Sequence, residues 1–175
     1  MITRYKDYLL REALLTDAPL LAGWWNDGNE MAHTGNPLGL GVSIADVENR
    51  LYKDVGEKYH RLIIEYGSKA IGECYYKELD PSLARIGIRI CDFTLHDKGM
   101  GRIILSMLIS HLFNVLHYET VTVTTNLNNQ RAQHVYEKLG FQKIRTDYDC
   151  ERNQLGEFTS HVVYQMTNEN FNSFI

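Results

Sequence analysis

A glycine turn between a predicted strand and a predicted helix constrains the fold of this sequence more than any other feature. Isoleucines alternate with other residues between Ala84 and Asp92, which predicts an extended strand. After the turn HDKGMGR (residues 96–102), apolar residues recur at helical spacing up to Val115. The first N–H groups of a helix have no partners within it, and the helix dipole favours negative charge there. The stretch therefore predicts an anion site, and phosphate is the expected ligand.

The turn by itself leaves another interpretation open, because glycines at such a position often serve only to reverse the chain. Two common phosphate loops do not fit. The Walker loop ends in Gly-Lys-Ser/Thr, whereas Gly101 is followed here by Arg102 and Ile103. The dinucleotide loop has a third small residue where this chain has Ile104. A phosphate site at this turn must therefore be of another kind.

The size and charge of the chain exclude several classes of function. Its 175 residues, 44% of them hydrophobic, can bury a full core and predict a single domain over residues 1–175. A net charge of −4 without a long basic run argues against nucleic acid as a partner and favours a cationic substrate. Residues 1–10 lack the apolar core of a signal peptide, and no apolar run approaches the roughly 18 residues of a membrane span. We therefore expect a soluble, cytoplasmic protein without membrane contact.

The cysteines and histidines give no sign of a metal or disulfide site. Cys74, Cys91 and Cys150 are odd in number and far apart, with no Cys-x-x-Cys pair, which fits reduced thiols. The histidines do not stand at the spacings typical of metal ligands. The sequence therefore predicts that no metal takes part in the chemistry.

The other strand and helix patterns predict an α+β layer structure. A two-residue turn at Gly67 and Ser68 indicates a hairpin. The run ETVTVTT is the most β-branched part of the chain, and a helix with Gly140 at its end follows it. The predicted strands cover residues 60–66, 69–77, 84–92, 119–125, 141–149 and 157–166.

The first third of the chain is less regular. Residues 8–15 suit either a strand or a short helix, and a helix through Trp24 and Trp25 follows. Glycines and Pro37 between residues 26 and 42 predict a mobile loop. Ser43 and Asp46 have the spacing of a capping box, which predicts that a further helix begins there.

A second stretch adds a specific family resemblance. The sequence NNQRAQHVYEKLGF (residues 128–141) follows directly on the β-branched strand, about 30 residues after the glycine turn. Together the two stretches resemble the GNAT superfamily of N-acetyltransferases. Its members carry a Gln/Arg-x-x-Gly-x-Gly/Ala loop that binds the pyrophosphate of acetyl-CoA, and an Asn-x-x-Ala…Tyr-x-x-x-Gly-Phe segment beside the thioester. The matching residues here are Gly99, Gly101, Asn129, Ala132, Tyr136, Gly140 and Phe141.

The resemblance covers about residues 60–166 and departs from the family pattern at His96, which replaces Gln or Arg. It implies a mixed, mostly antiparallel sheet flanked by helices. Two parallel strands, ending near Asp92 and Thr125, would splay apart and hold the pantetheine arm between them. The opening stretch resembles the branch that acetylates ribosomal protein N-termini and polyamines. The contacts to acetyl-CoA that the resemblance implies involve Ile90, Cys91, Phe93, His96, Asp97, Lys98, Gly99, Met100, Gly101, Arg102, Asn129, Arg131, Ala132 and Tyr136.

The resemblance also implies a direct attack of an amine on the thioester. Family tyrosines at the position of Tyr136 protonate the departing sulfur, although a tyrosine in a helix can equally be a core residue. A primary amine has a pKa of about 10.4, so a base is expected to remove its proton. Glu73 is the first candidate, acting directly or through water, and Asp92 is the second. A glutamate on the surface of a strand is the alternative interpretation of Glu73.

Recognition of the acceptor is expected in the variable first third. Adjacent tryptophans point in different directions on a helix, so one of Trp24 and Trp25 can line a pocket while the other packs in the core. Together with Asp27 or Glu30, an aromatic wall would suit a cationic amine, and His33 is a further candidate for contact with the substrate. Packing of both tryptophans in the core is the alternative.

Several functions stay open at this point. The acceptor could be a protein N-terminus, a polyamine, an aminoglycoside or an amino-acid-like metabolite, and the enzyme could act as a homodimer. A non-catalytic acyl-CoA-binding or sensing module on the same fold is a rival that could dispense with Tyr136 and Glu73. A second rival is a partner-binding domain that uses the surface around Trp24 and Trp25 and binds no CoA.

Overall fold

The computed structural model describes residues 2–95 and 98–175 and contains one eight-stranded sheet. The strand order is β1-β2-β3-β4-β5-β6-β8-β7, and β5 and β6 form the parallel pair among otherwise antiparallel neighbours. The strands are β1 Ile2–Tyr5, β2 Tyr8–Glu12, β3 Tyr59–Tyr66, β4 Lys69–Asp80, β5 Leu83–Ile90, β6 Thr120–Asn126, β7 Gln142–Arg152 and β8 Phe158–Thr167. The helices are α1 Ala18–Asn26, α2 Gly28–Met31, α3 Ile44–Gly56, α4 Met100–Asn114 and α5 Gln130–Leu139.

Successive apolar side chains of β3 pack into two different core clusters, one on each face of the sheet. Leu62 and Ile64 belong to a large apolar cluster with the buried residues of α4, while Ile63 between them packs with α1 and α3 in a second cluster. Successive side chains of a strand point to opposite faces, so a run of three apolar residues supplies both layers. Since all three are fully buried, both faces of the sheet are covered by helices at this point.

The parallel strands β5 and β6 separate after four residue pairs. Their register runs from Leu83 opposite Thr120 to Ile86 opposite Val123. Beyond Ile86, β5 continues along β4 to Ile90, and β6 continues along β8 to Asn126. The mixed sheet with splayed parallel strands is therefore confirmed.

The predicted strands and helices are present. The β-strand alternative for residues 8–15 is correct for Tyr8–Glu12, and a short edge strand, β1, precedes it without having been predicted. The capping box at Ser43 and Asp46 is confirmed, since the Asp46 N–H donates to Ser43 Oγ at 3.1 Å and the Ser43 N–H to Asp46 Oδ2 at 2.8 Å.

The segment between α1 and α3 is more structured than its glycine and proline content predicts. It contains α2 and a 3-10 turn at Ala32–Thr34. Gln154, in the turn between β7 and β8, holds the rest of this segment. Its Oε1 accepts from the Leu38 N–H at 2.9 Å, its Nε2 donates to the Gly39 carbonyl at 2.7 Å, and its own N–H donates to the Gly35 carbonyl at 2.9 Å. The loop is therefore fastened to a hairpin far away in the sequence.

Candidate active site

Side chains from three neighbouring strands form the floor of a cavity of about 440 Å³. The register places Arg61 of β3 opposite Tyr75 of β4, and Tyr75 opposite Gly87 of β5. In the next row of the same face, Glu73 of β4 lies opposite Arg89 of β5. Tyr59, two residues before Arg61, stacks on Tyr75 with ring centroids 4.5 Å apart. We call Tyr59, Arg61, Glu73, Tyr75 and Arg89 the acceptor floor, after the role that we propose for them below.

The other end of the cavity lies between the splayed strands and the start of α4. Its lining comes from the open edges of β5 and β6, the first residues of α4 and the first turns of α5. These residues include Ile88, Ile90, Gly99, Met100, Gly101, Thr124, Thr125, Asn129, Arg131, Ala132, Val135 and Tyr136. One cavity therefore joins the predicted cofactor residues to the acceptor floor.

Gly99 gives α4 an open N-terminus. It is the N-cap residue and has φ +74°, a left-handed conformation that favours glycine. The Arg102 guanidinium folds back over it, since a Cβ atom on Gly99 would come within 2.9 Å of one terminal nitrogen. Lys98 is exposed beside the turn, while the predicted contacts at His96 and Asp97 lie outside the described residues. The described part of the turn has the backbone and charge expected of a phosphate site.

The hydrogen bonds of β5 decide which of its backbone groups face the splay. The Cys91 N–H donates to the Ile71 carbonyl at 2.7 Å, so this group is already used within the sheet. Because N–H groups alternate between the two sides of a strand, those of Ile88 and Ile90 point towards β6. Of the residues predicted to contact the pantetheine arm, Ile90 therefore directs its N–H towards the gap between β5 and β6, whereas Cys91 does not. The N–H of Ile88, a residue outside the prediction, also points towards this gap. The backbone of Phe93 lies further on, in a 3-10 turn.

Asn129 caps α5 beside the gap between β5 and β6. Its Oδ1 accepts from the Ala132 N–H at 3.1 Å and caps α5, and the same residue lines the cavity. Arg131 is exposed and also lines the cavity. Capping holds the Asn129 side chain in one orientation beside the splayed strands.

Tyr136 is buried in α5 with its ring between Phe141 and Tyr164, at centroid distances of 5.7 and 5.9 Å. Its hydroxyl has no hydrogen-bond partner within residues 2–95 and 98–175, although the residue lines the cavity. Burial raises the pKa of Tyr136 above its ordinary value of 10.0, and the nearby Tyr75 and Tyr164 add to the effect. The phenol is therefore protonated at neutral pH and can donate into the cavity.

Glu73 is buried and held by three donors. The Trp25 Nε1–H donates to its Oε1 at 2.7 Å, Arg61 donates to its Oε2 at 2.8 Å, and a terminal nitrogen of Arg89 lies 3.4 Å from Oε1. Arg61 continues the network to Asp54 of α3, with 3.0 Å between Nε and Oδ2. The surface interpretation of Glu73 is wrong, because only 4% of the residue is exposed.

Asp92, the second candidate base, lies outside the cavity lining. Its Oδ2 accepts from Lys69 Nζ at 2.7 Å, and its Oδ1 accepts from the N–H and hydroxyl of Thr94. These hydrogen bonds lower the pKa of Asp92 to about 2, with the bond from Lys69 making the largest contribution. The positive charge of Lys69 adds to the effect. A carboxylate with so low a pKa is a weak base at neutral pH.

The predicted acceptor residues of the first third divide into two groups. Trp25 is buried in the second core cluster, Trp24 packs partly against the same cluster, and neither lines the cavity. Asp27 caps α2 by accepting from the Asn29 N–H at 2.8 Å. His33 and Glu30 line the cavity. The prediction of a tryptophan wall is therefore wrong, and the aromatic residues of the cavity lining are tyrosines, among them the stacked Tyr59 and Tyr75.

The acceptor floor residues other than Glu73 were not singled out in the sequence. The sequence contains a partial signal for them, because Tyr59 and Arg61 stand two residues apart in β3, and Tyr75 and Arg89 stand two residues from other polar or small residues in their strands. Alternation predicts that such residues share a face within each strand. It does not give the register that brings the strands' rows together.

Replacing Gly87 with alanine is expected to lower kcat/KM for the acceptor about tenfold, because a small displacement of a positioning group is costly. A Cβ atom at Gly87 would lie 2.7 Å from Tyr75 Cζ and 2.9 Å from its hydroxyl oxygen, so the ring must move. Steady-state kinetics with each of the two substrates varied in turn measure the effect. Gly23→Ala in α1 is the control, since no atom lies within 4 Å of its added Cβ. An unchanged kcat/KM in Gly87→Ala would contradict the role of Tyr75.

Comparison with known proteins agrees with this geometry. Residues 8–142 match the family model described as acetyltransferase (GNAT) domain. The chain belongs to the GNAT acetyltransferase family. No curated protein sequence matches this GNAT chain significantly.

Solved structures share the fold of this GNAT chain at low sequence identity. The spermidine N-acetyltransferase of Vibrio cholerae, in complex with CoA and spermine, superimposes with a TM-score of 0.84 at 18% identity, covering 95% of this chain and 98% of that one. The RimL ribosomal L7/L12 alpha-N-protein acetyltransferase, in complex with coenzyme A, gives 0.82 at 14% identity, with the same coverage. A GNAT-family acetyltransferase of Bacillus anthracis gives 0.80 at 18% identity over 97% and 99% of the chains.

The described residues of this GNAT chain contain no sign of a metal site or of a membrane-spanning helix. Within residues 2–95 and 98–175, no group of three or more His, Cys, Asp or Glu side chains could hold a metal ion. In the same ranges, no helix has both the length and the apolar character to cross a bilayer.

Proposed function

We propose that the protein transfers an acetyl group from acetyl-CoA to a primary amine by direct attack. Tyr136 carries this proposal, because its protonated phenol opens on a cavity that joins the α4 N-terminus to the acceptor floor. Family membership and CoA-bound structural neighbours support the same reaction.

The cavity offers each kind of contact that acetyl-CoA requires. First-turn N–H groups of α4, with Lys98 and Arg102 beside them, suit the phosphates. The backbone N–H of Ile88, on the β6 side of β5, suits an amide of the pantetheine arm, as an added strand would. An N–H on this edge of β5 can also stabilise the negative charge that develops on the thioester oxygen.

Proton transfer is assigned to two side chains. A primary amine with a pKa of about 10.4 costs roughly 4–5 kcal/mol to deprotonate at pH 7. Glu73 is the base that we propose, acting through water because its oxygens already accept from Trp25 and Arg61. Tyr136 donates its proton to the sulfur as the C–S bond breaks, so the thiol leaves neutral.

The charges around the acceptor floor favour an amine whose remaining groups are neutral or anionic over one that carries several positive charges. At this end of the cavity Glu30 and Glu73 are acidic, whereas Arg61 and Arg89 are basic. Both carboxylates are buried, at 8% and 4% exposure. A polycation would have to compete with Arg61 and Arg89 for the Glu73 carboxylate, whereas an amino-acid-like molecule or a peptide N-terminus would not.

Thiol release from acetyl-CoA, measured across polyamines, amino acids, aminoglycosides and short peptides, tests the proposal. We expect at least one compound of the amino-acid or peptide group to be turned over faster than any polyamine. Calorimetry with CoA runs alongside. Binding of CoA without turnover of any amine would favour the sensing module, and absence of CoA binding would contradict the proposed cofactor site.

A further inference from the structure

The last residues of the chain, 168–175, cross from the end of α5 to the start of α4. Here we call them the closing segment. The Asn170 carbonyl occupies the space that a side chain at Gly140 would need, and the Asn172 N–H donates to the Leu139 carbonyl at 2.8 Å. Phe171 packs on Phe113 of α4, with ring centroids 6.0 Å apart. The segment is thus tied to both helices that border the proposed cofactor site.

Phe174 then reaches the first turn of α4. Its N–H donates at 3.0 Å to the Oγ of Ser106, which is fully buried. Ser106 stands four residues after Arg102, so the two side chains share one face of the helix. The Phe174 ring accordingly lies under the Arg102 guanidinium, with 5.0 Å between Cζ and the ring centroid.

The Arg102 guanidinium is held between this ring and the helix N-terminus. It lies over Gly99, the residue whose left-handed φ opens the first turn. Within residues 2–95 and 98–175 it forms no ion pair with a carboxylate, so a contact with an aromatic face, rather than a salt bridge, fixes its position there. A ring contact uses none of the N–H donors of a guanidinium, which keeps them available for an anion.

We propose that Phe174 is a positioning residue for the phosphates of acetyl-CoA, acting through Arg102. The inference rests on the proposed function, since it assumes that CoA binds at the α4 N-terminus. Without the ring, a long arginine side chain samples many rotamers and loses freedom on binding. With the ring, the guanidinium is already oriented before the phosphates arrive.

The test compares two acetyl donors, acetyl-CoA and S-acetylpantetheine, which has the arm and thioester but not the pyrophosphate. Phe174→Leu keeps an apolar side chain on α4 and removes the aromatic face. We expect its KM for acetyl-CoA to rise about three- to fivefold with unchanged kcat, the size of an exposed cation–π contact. Its KM for S-acetylpantetheine should stay at the wild-type value. In an Arg102→Ala background, Phe174→Leu should add nothing further.

Phe158→Leu is the matched control. Phe158 also lies under an arginine, with 3.8 Å between Arg152 Cζ and the ring centroid, but on the hairpin of β7 and β8. Its substitution should leave both KM values unchanged. Equal KM increases for both donors in Phe174→Leu, or no increase for acetyl-CoA, would overturn the role of Phe174 alone. A wild-type protein that does not bind CoA in calorimetry would overturn the proposed function as well.

Discussion

Replacing Tyr136 with phenylalanine is expected to lower kcat about a hundredfold, within the range typical of a lost general acid. The ring is packed against Phe141 and Tyr164, and phenylalanine preserves that packing. Only the hydroxyl, which has no partner in the described part of the chain, is removed. Stopped or continuous thiol-release assays with saturating acetyl-CoA measure the change, and the thermal midpoint should stay within a few degrees of wild type.

The pH profile gives an independent check on Tyr136. The pKa of its phenol is raised by burial above 10.0, so the acid stays protonated throughout the physiological range. The acceptor amine loses its proton as pH rises, so activity should increase between about pH 7 and 9. A fall in kcat below pH 10 caused by loss of an acidic proton would contradict the assignment of Tyr136, as would a Tyr136→Phe variant with wild-type kcat.

Replacing Arg61 with methionine is expected to lower the free energy of unfolding by about 3–5 kcal/mol, as for other broken buried pairs. Arg61 is the cation between Asp54 and Glu73, which are 3% and 4% exposed. Its guanidinium also lies 4.7 Å from the Trp25 ring and 4.8 Å from the Tyr59 ring. Methionine fills a similar volume but leaves a buried carboxylate on each side without this partner. Urea unfolding followed by tryptophan fluorescence measures the loss.

Arg50→Met is the control for this prediction. Arg50 also pairs with Asp54, at 2.8 Å, but its side chain is 38% exposed and its second partner, Glu57, is exposed as well. Exposed ion pairs contribute about 0–1 kcal/mol, so this variant should be only slightly less stable than wild type. If Arg61→Met cost no more than Arg50→Met, burial of the network would not be what makes Arg61 important.

The fold and the cofactor end of the site could be predicted because their signals are local. Alternating isoleucines mark β5, the β-branched run marks β6, and the residues that follow each strand carry the family motifs. Gly99 and Asn129 are helix caps as well as motif positions, so their places follow from chain geometry near the same residues. Such features require only a few neighbouring residues to specify them.

The acceptor floor could not be predicted in the same way, because it depends on the register of three strands. Register shifts occur between Ile64 and Glu65, and between Glu78 and Asp80, and each shift changes which residues face the same side. The role of Trp25 is similarly non-local, since its indole N–H bonds a carboxylate 48 positions away. The edge strand β1 has only four residues and little pattern of its own.

The hydrogen bonds from Gln154 to residues 35–39 mean that two distant parts of the sequence cannot change independently. More than a hundred positions separate the loop and the hairpin turn in the sequence, yet both line a second cavity beside the first. The three bonds of Gln154 go to backbone groups of the loop, so a chimera that received residues 26–42 from a relative would keep them only if the grafted loop followed the same backbone path. An exchange of this loop between family members should therefore transplant the turn at 153–156 together with it, and the two should co-vary among homologues.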